Sequence, residues 1–366
     1  MEPALFRQFP GLRGKLPWES LGSFPTPVAR LRALGAAVGV PDLWIKRDDQ
    51  SGTLYGGNKV RKLEFLLADV RRRGRGRVLT MGAFGSHQVL ATALYGARLG
   101  LRVCALVFPQ PPTDHARDTL LLSLGAGACL HRSPGPLTSP VAGAACAWRH
   151  RAEGLPAFIA PGGSTHIGTL GYVSGALELA EQVRAGTCPE PDLIVVALGS
   201  GGTAAGLLIG LRLAGLTRPR VLAVRVYDRF FTNRSATTRL ANRTAARLRA
   251  AGGPDAGTFS RRDLEVDHDF FGGAYGRPTP AAQAALARLR DLEGITLETT
   301  YTGKALAALI ARAPALAGRR VLFWNTFNSV PTAALPRPDP ATLPRALRAF
   351  LGLAEASRRA APEAGA

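Results

Sequence analysis

Short apolar runs alternate with amphipathic stretches along most of this chain. Residues 42–49, 77–83, 102–108, 128–132, 192–198 and 220–228 read as strands, and 157–163 as a strand with its loop. Residues 59–74, 86–100, 113–126, 165–186 and 204–216 read as helices, and 137–154 as largely helical. In the 59–74 helix Val60, Leu63, Leu67 and Val70 fall on one face, the 3.6-residue signature. Thr113 is placed to cap the helix that follows it. The strands are near-continuous apolar runs, as buried parallel strands are. The strand–helix rhythm predicts open, mostly parallel α/β sheets covered by helices on both faces. No internal repeat of fixed period appears, and the tail 354–366 is expected to fray.

A chain of 366 residues, 46% hydrophobic, holds two domains or one large domain with an insertion. No apolar run is long enough to span a bilayer. The N-terminal stretch lacks the charged head and apolar segment of a secretory signal, so a cytoplasmic protein is expected. The formal charge of +20 raises the question of nucleic acid. It is set aside: 41 of the cations are Arg and 5 are Lys, which matches a GC-rich coding bias. The arginines are spread along the chain, with no nucleic-acid motif and no aromatic–basic interleaving. Cys104, Cys129, Cys146 and Cys188 show no C-x-x-C spacing and are expected to be reduced, partly buried thiols, with no metal site.

Because lysine is scarce, Lys59 in GGNKVRKLEF stands out. It opens a helix, where the dipole disfavours a permanent cation. A solvated lysine would tolerate that; an amine that must be neutral to react would benefit from it. A second signal is the run LIVVALGSGGTAAGLLIGL. A buried strand ends in Gly199, Ser200, Gly201, Gly202 and Thr203, and a helix follows. Glycines let backbone N–H groups approach an anion, and the helix N-terminus favours negative charge. Gly199, Gly201 and Ala204, with Asp228 ending the next strand, also satisfy a loose dinucleotide pattern. A nicotinamide-dependent dehydrogenase is therefore one reading, although it leaves Lys59 without a task. Pyridoxal phosphate (PLP) uses both signals: its phosphate needs a cradle and its aldehyde an amine. Ser86, His87 and Gln88 open a further helix that suits an amino acid's carboxylate. For Ser86 a plain N-cap is the simpler alternative.

GGNKVRKLEFLLADV resembles the PLP-lysine segment of the D-cysteine desulfhydrase and 1-aminocyclopropane-1-carboxylate deaminase family, enzymes of the tryptophan-synthase-β-like fold (PLP fold type II). FPTPVARLRAL followed by WIKRDDQSG, then GSHQ, ALGSGGTAAGL, GGAYGRPTP and TLETTYTGKALAAL follow in the family's order. The resemblance implies two open α/β domains with PLP in the cleft between them. Residues 1–61 and 173–366 would form the large domain and 62–172 the smaller, inserted one. Lys59 would hold PLP and move the proton at the substrate's Cα, with Asn58 positioning it. Gly199 to Thr203 would bind the phosphate. Ser86, His87 and Gln88 would face the substrate carboxylate and the ring oxygen. Tyr275 and Tyr301 would flank the substrate, Tyr301 assisting Lys59. A homodimer is also implied.

Within that family the deaminases carry Glu after the second tyrosine, where this chain has Thr302, and Leu where it has Thr326. Both positions lean towards the desulfhydrases. A neutral hydroxyl by the pyridine nitrogen leaves a milder electron sink. The expected reaction is α,β-elimination from a small amino acid, giving a 2-oxo acid and ammonia. His87 stands where the family has Asn, and NTFNSVP where it has a Gly-Gly segment. These departures, with added bulk from Phe84 and Phe327 if they face the site, predict a substrate not identical to D-cysteine. Ring opening of the cyclopropane substrate, the dehydrogenase, and a PLP- or nucleotide-binding protein without catalysis are the alternatives.

Overall fold

The computed structural model describes residues 1–135, 139–149, 151 and 154–351. The frayed tail expected at 354–366 and parts of the 137–154 helix lie outside them. The strands are β1 Val28–Arg30, β2 Leu43–Arg47, β3 Arg77–Ala83, β4 Arg102–Phe108, β5 Cys129–Arg132, β6 Ala157–Ile159, β7 Leu193–Leu198, β8 Arg220–Arg225, β9 Glu265–Asp267 and β10 Val321–Asn325. The helices are α1 Ala4–Gln8, α2 Arg32–Val38, α3 Asn58–Arg72, α4 His87–Arg98, α5 Asp114–Gly125, α6 Ser139–Arg149, α7 Leu170–Arg184, α8 Gly202–Leu213, α9 Arg234–Ala250, α10 Pro280–Glu293, α11 Thr302–Ala311 and α12 Arg345–Phe350.

The chain divides into two compact units. The first comprises Met1–Gly74 and Ala160–Pro331; the second comprises Arg75–Ile159 and the chain from Thr332 on. The first unit carries a six-stranded sheet in the order β1-β2-β10-β7-β8-β9. Only β1 pairs antiparallel; every other pairing is parallel. Leu43, Ile45, Val195, Val224 and Phe323 of this sheet pack against Leu306 and Leu309 of α11. On α8, a Cβ at Gly206 would come within 2.4 Å of the Tyr172 Cβ, and one at Gly210 within 2.5 Å of the Val173 carbonyl. The glycines let α7 and α8 meet backbone to backbone, which fixes where the loop before α8 sits.

The second unit has a fully parallel sheet, β5-β4-β3-β6. Its core includes Phe84, Val89, Val107 and Leu120, joined by Leu343 and Leu347 from the chain's far end. Phe84 stacks on Phe350 with ring centroids 4.5 Å apart. This corrects one expectation: Phe84 is core, 5% exposed, and not pocket bulk. The division also differs from the 62–172 insertion. Helix α3 and residues 160–172 pack with the first unit, because buried ion pairs bind α3 to α7. Residues 332–351 join the second, because α12 turns an apolar face onto α4 and α5.

Element boundaries follow the sequence closely except at α7. The predicted start at 165 becomes Leu170. Residues 165–169 form turns instead, in which a Cβ at Gly168 would lie 2.1 Å from the Gly163 carbonyl. Thr113 caps α5 as expected, accepting from the Ala116 N–H at 3.1 Å.

Candidate active site

Lys59 is the second residue of α3, directly after the N-cap Gly57 and Asn58. Gly57 has φ +87°, and a Cβ there would lie 2.7 Å from the Phe327 carbonyl. Only glycine permits that turn at that distance. The Asn58 N–H donates to the Thr326 carbonyl at 3.1 Å. The Asn328 Oδ1 accepts from the Gly56 N–H at 2.5 Å. The NTFNSVP segment, where the chain departs from its resembled family, therefore lies against the start of the lysine helix.

Behind Lys59, α3 is held by charge. Arg61 donates to Asp48 at 2.7 and 2.9 Å and to Glu178 of α7 at 2.9 Å from two nitrogens. Lys46 reaches Glu178 at 2.6 Å. Tyr172 and the Trp324 indole both donate to Asp48 at 2.7 Å. All of these side chains are buried. Desolvation opposes the charge on Glu178, but Arg61 and Lys46 overcome it and hold the carboxyl at about 2.

The opposite face is different. Burial pushes the Lys59 amine down to about 8, with the Glu298 carboxylate opposing the shift. Lys62, one helical turn on, is lowered well below its ordinary value by burial and by Lys59 beside it. Its Nζ donates to the Gly162 carbonyl at 3.1 Å and the Ser164 Oγ at 3.2 Å. Among the described residues, neither amine has a carboxylate within ion-pair distance.

These amines adjoin the glycine loop. Asn58 donates to the Thr203 Oγ at 3.3 Å. The Gly202 N–H donates to the Ser164 Oγ at 3.1 Å, and Ser164 and Ser200 share a hydrogen bond of 2.7 Å. Gly201 has φ +85°. A Cβ at Gly202 would lie 2.5 Å from the Ser164 Oγ and 3.1 Å from the Lys62 Nζ. A loop of N–H groups and hydroxyls at a helix N-terminus, too narrow for a Cβ at Gly202, beside an amine without a carboxylate partner among the described residues, fits a phosphate dianion. Gly199, Ser200, Gly201, Gly202 and Thr203 would hold that phosphate, with Lys62 and Ser164 added. Bound there, PLP supplies the electron sink that makes a substrate's Cα–H acidic.

Tyr301 closes over the same loop: a Cβ at Gly199 would lie 3.2 Å from its ring. Its hydroxyl is 2.5 Å from that of Tyr275. Burial raises both phenols, Tyr275 to about 12 and Tyr301 well above its ordinary value. They stay protonated, which suits donors rather than bases. Glu298 sets this turn. It accepts from the N–H groups of Thr300, Tyr301 and Thr302, the last at 2.7 Å. The Thr302 hydroxyl also donates to Glu298, at 3.0 Å. That hydroxyl, expected beside the pyridine nitrogen, already has its proton engaged. Thr326, partly buried, contributes its backbone carbonyl to the start of α3.

Ser86, His87 and Gln88 belong to the second unit. Ser86 caps α4, accepting from the Val89 N–H at 3.4 Å. His87 lies 2.9 Å from the His115 ring, Nε2 to Nε2. Gln88 is 3% exposed and donates its amide to Thr92 at 2.9 Å, so its side chain serves the helix. Asp228, the ribose-binding acid of the dinucleotide reading, accepts from the Phe230 N–H at 2.8 Å and stabilises its own turn.

Sequence reasoning missed Lys62, Ser164 and Glu298. Lys62 was within reach: it is one of only five lysines and follows Lys59 at i+3, on the same face.

Comparison with known proteins agrees with this geometry. The family model described as "Pyridoxal-phosphate dependent enzyme" matches residues 19–326. D-cysteine desulfhydrase of Klebsiella pneumoniae is 35% identical over 297 residues, 78% of this chain and 85% of that protein. The Yersinia enterocolitica protein of the same name is 36% identical over 296 residues, 78% and 84% of the two chains. A crystal structure described as an ACC deaminase homologue aligns with TM-score 0.76 and 31% identity, covering 91% of this chain and 97% of that one. Threonine deaminase isoform 2 of Solanum lycopersicum, at 15% identity and TM-score 0.59, covering 95% and 88%, shares the fold. The dehydrogenase reading falls with these matches, and the chain belongs to the pyridoxal-phosphate-dependent enzyme family, as a lyase similar to the D-cysteine desulfhydrases.

Proposed function

We propose that this lyase removes a β substituent from a small amino acid of the D-cysteine type, leaving a 2-oxo acid and ammonia. The observation that carries the reading is Lys59: an amine held near neutrality, on the same helical face as Lys62 at the phosphate-type loop and facing the turn that carries Tyr301. Lys59 holds the cofactor's aldehyde and moves the proton at the substrate's Cα. A neutral amine near pH 8 does this without waiting for deprotonation. Tyr301, with Tyr275 as its hydrogen-bond partner, keeps a proton to give to the departing β group. This revises the expectation that Tyr301 helps take the Cα proton.

With the Thr302 hydroxyl committed to Glu298, Thr326 is the hydroxyl assigned to the ring nitrogen. Ser86 and the N–H groups of His87 and Gln88 are assigned to the substrate carboxylate, Gln88 through its backbone. The NTFNSVP segment, which stands where the resembled family has a Gly-Gly segment, lies beside the lysine turn, which supports a β substituent other than the bare thiol. We further propose a cytoplasmic homodimer. No described helix is long and apolar enough to cross a membrane, the four cysteines are free thiols, and the resembled family implies the dimer.

The test is an amino-acid panel with the PLP-loaded enzyme: D- and L-cysteine, β-chloro-alanine and O-acyl-serine of both hands, and 1-aminocyclopropane-1-carboxylate. Pyruvate released one-for-one with the β group is expected, fastest from a substrate other than D-cysteine. Four-carbon oxo acid from the cyclopropane would shift the reading to the deaminases. Bound cofactor with no turnover across the panel would end it. Light scattering decides the dimer.

A further inference from the structure

A second cluster of reactive side chains lies wholly within the second unit and takes no part in the chemistry above. The parallel register of β4 and β5 sets Cys104 opposite Cys129. His131, two residues on, points to the same face as Cys129. The ligand atoms of Cys104, Cys129 and His131 all lie within 4.8 Å of one another, and the Cys129 Sγ is 3.3 Å from the His131 Nε2. Helix α6 packs Cys146 into the same small cluster as Cys104.

Burial alone explains Cys104 and Cys146, since free cysteine behaves as a small apolar residue. It does not explain Cys129, which is exposed on the edge strand of the sheet and beside a histidine. Tetrahedral zinc takes sulfur at about 2.3 Å and imidazole nitrogen at about 2.0–2.1 Å. Two such sulfurs stand roughly 3.7 Å apart and a sulfur and a nitrogen roughly 3.5 Å, so pairs as far apart as 4.8 Å close by about 1 Å while Cys129 and His131, at 3.3 Å, open slightly. Cys129, at an open edge, has room to turn inward and leaves a path for the ion.

We propose that Cys104, Cys129 and His131 bind a thiophilic metal ion, zinc in the first instance, with water in the fourth position. The site ties the neighbouring strands β4 and β5 together within the second unit. Linear spacing hides it, because Cys104 and Cys129 meet only through strand register; the expectation of no metal site is revised accordingly. Binding releases the thiol protons, so affinity rises with pH.

The experiment titrates reduced, PLP-loaded, metal-free enzyme with Co2+, reading the long-wavelength tetrahedral absorption that lies clear of the cofactor band. Zn2+ is then used to displace it. One equivalent of Co2+, displaced by zinc, and a higher melting temperature with zinc are expected. C129S and H131A, both at accessible positions, should each weaken binding by at least about 100-fold, more than second-shell partners are worth. The cofactor band and turnover should stay unchanged. Binding equal in wild type and both variants would overturn the proposal, as would the absence of stoichiometric binding. A Cys104–Cys129 disulfide in enzyme prepared without oxygen would also overturn it.

Discussion

Helix α3 has two faces that treat charge in opposite ways. Arg61 stands about 200° round the helix from Lys59. On its side every charge is answered: Arg61, Lys46, Asp48 and Glu178 are buried together, with Thr26, Tyr172 and Trp324 filling the remaining hydrogen bonds. On the Lys59 side two amines sit a turn apart with their affinity for protons reduced. The first arrangement fixes a helix; the second leaves two amines without a carboxylate partner among the described residues, as the proposed cofactor site requires. A buried charge thus marks structure where it is paired and chemistry where it is not.

The most severe way to sharpen that contrast is K59A. Turnover should fall by at least about 10³-fold, while the melting temperature of the apoenzyme changes little. Normal turnover would end the assignment. On the opposite face, R61A leaves Asp48 buried without its cation and Glu178 with Lys46 alone, and should cost about 3–5 kcal/mol in denaturant unfolding. K62M is the counter-test. It removes an unpaired buried cation, so the apoenzyme should be as stable as wild type or more so. PLP should dissociate about 10- to 100-fold more readily, as for loss of a charge-assisted hydrogen bond. If K62M destabilised the apoenzyme as R61A does, the two faces would not differ.

The faces also separate by pH. Glu178 titrates at about 2 in the fold, against an ordinary value of 4.5. The unfolded chain therefore takes up the proton first, and stability present above pH 4.5 should be lost as pH falls towards 2. That group contributes of order 3 kcal/mol, measurable by unfolding at stepped pH. Lys59 works the other way: its neutral fraction grows as pH rises through about 8. The rate of PLP uptake by apoenzyme, followed by absorbance, should climb up to roughly tenfold per pH unit below that point and then level off. E298Q should have the smallest effect, moving that midpoint lower, because the carboxylate is what holds the Lys59 amine up.

Much of this was legible in the linear chain. The alternating pattern predicted the parallel sheets, since strands buried on both faces must be apolar throughout. The glycine run and the lysine after Gly-Gly-Asn pointed to the candidate loop and amine, because each chemistry restricts which residues are tolerated. Phe84 was misjudged, because an aromatic residue near a motif looks the same whether it lines a pocket or fills a core. The engaged Thr302 hydroxyl was invisible, because its partner Glu298 meets it through a turn that only the folded backbone makes. Lys62 was visible in principle by helical spacing.

The sequence by itself determined the fold class and the cofactor and singled out Lys59 as the candidate amine, since these rest on local periodicity and on short motifs. Tertiary structure decided which charges are paired and which stay reactive, and which cysteines meet. Those outcomes depend on strand register and helix packing between residues as far apart as Asp48 and Glu178 or Cys104 and Cys146, and energies of burial and pairing exist only once such residues share one desolvated space.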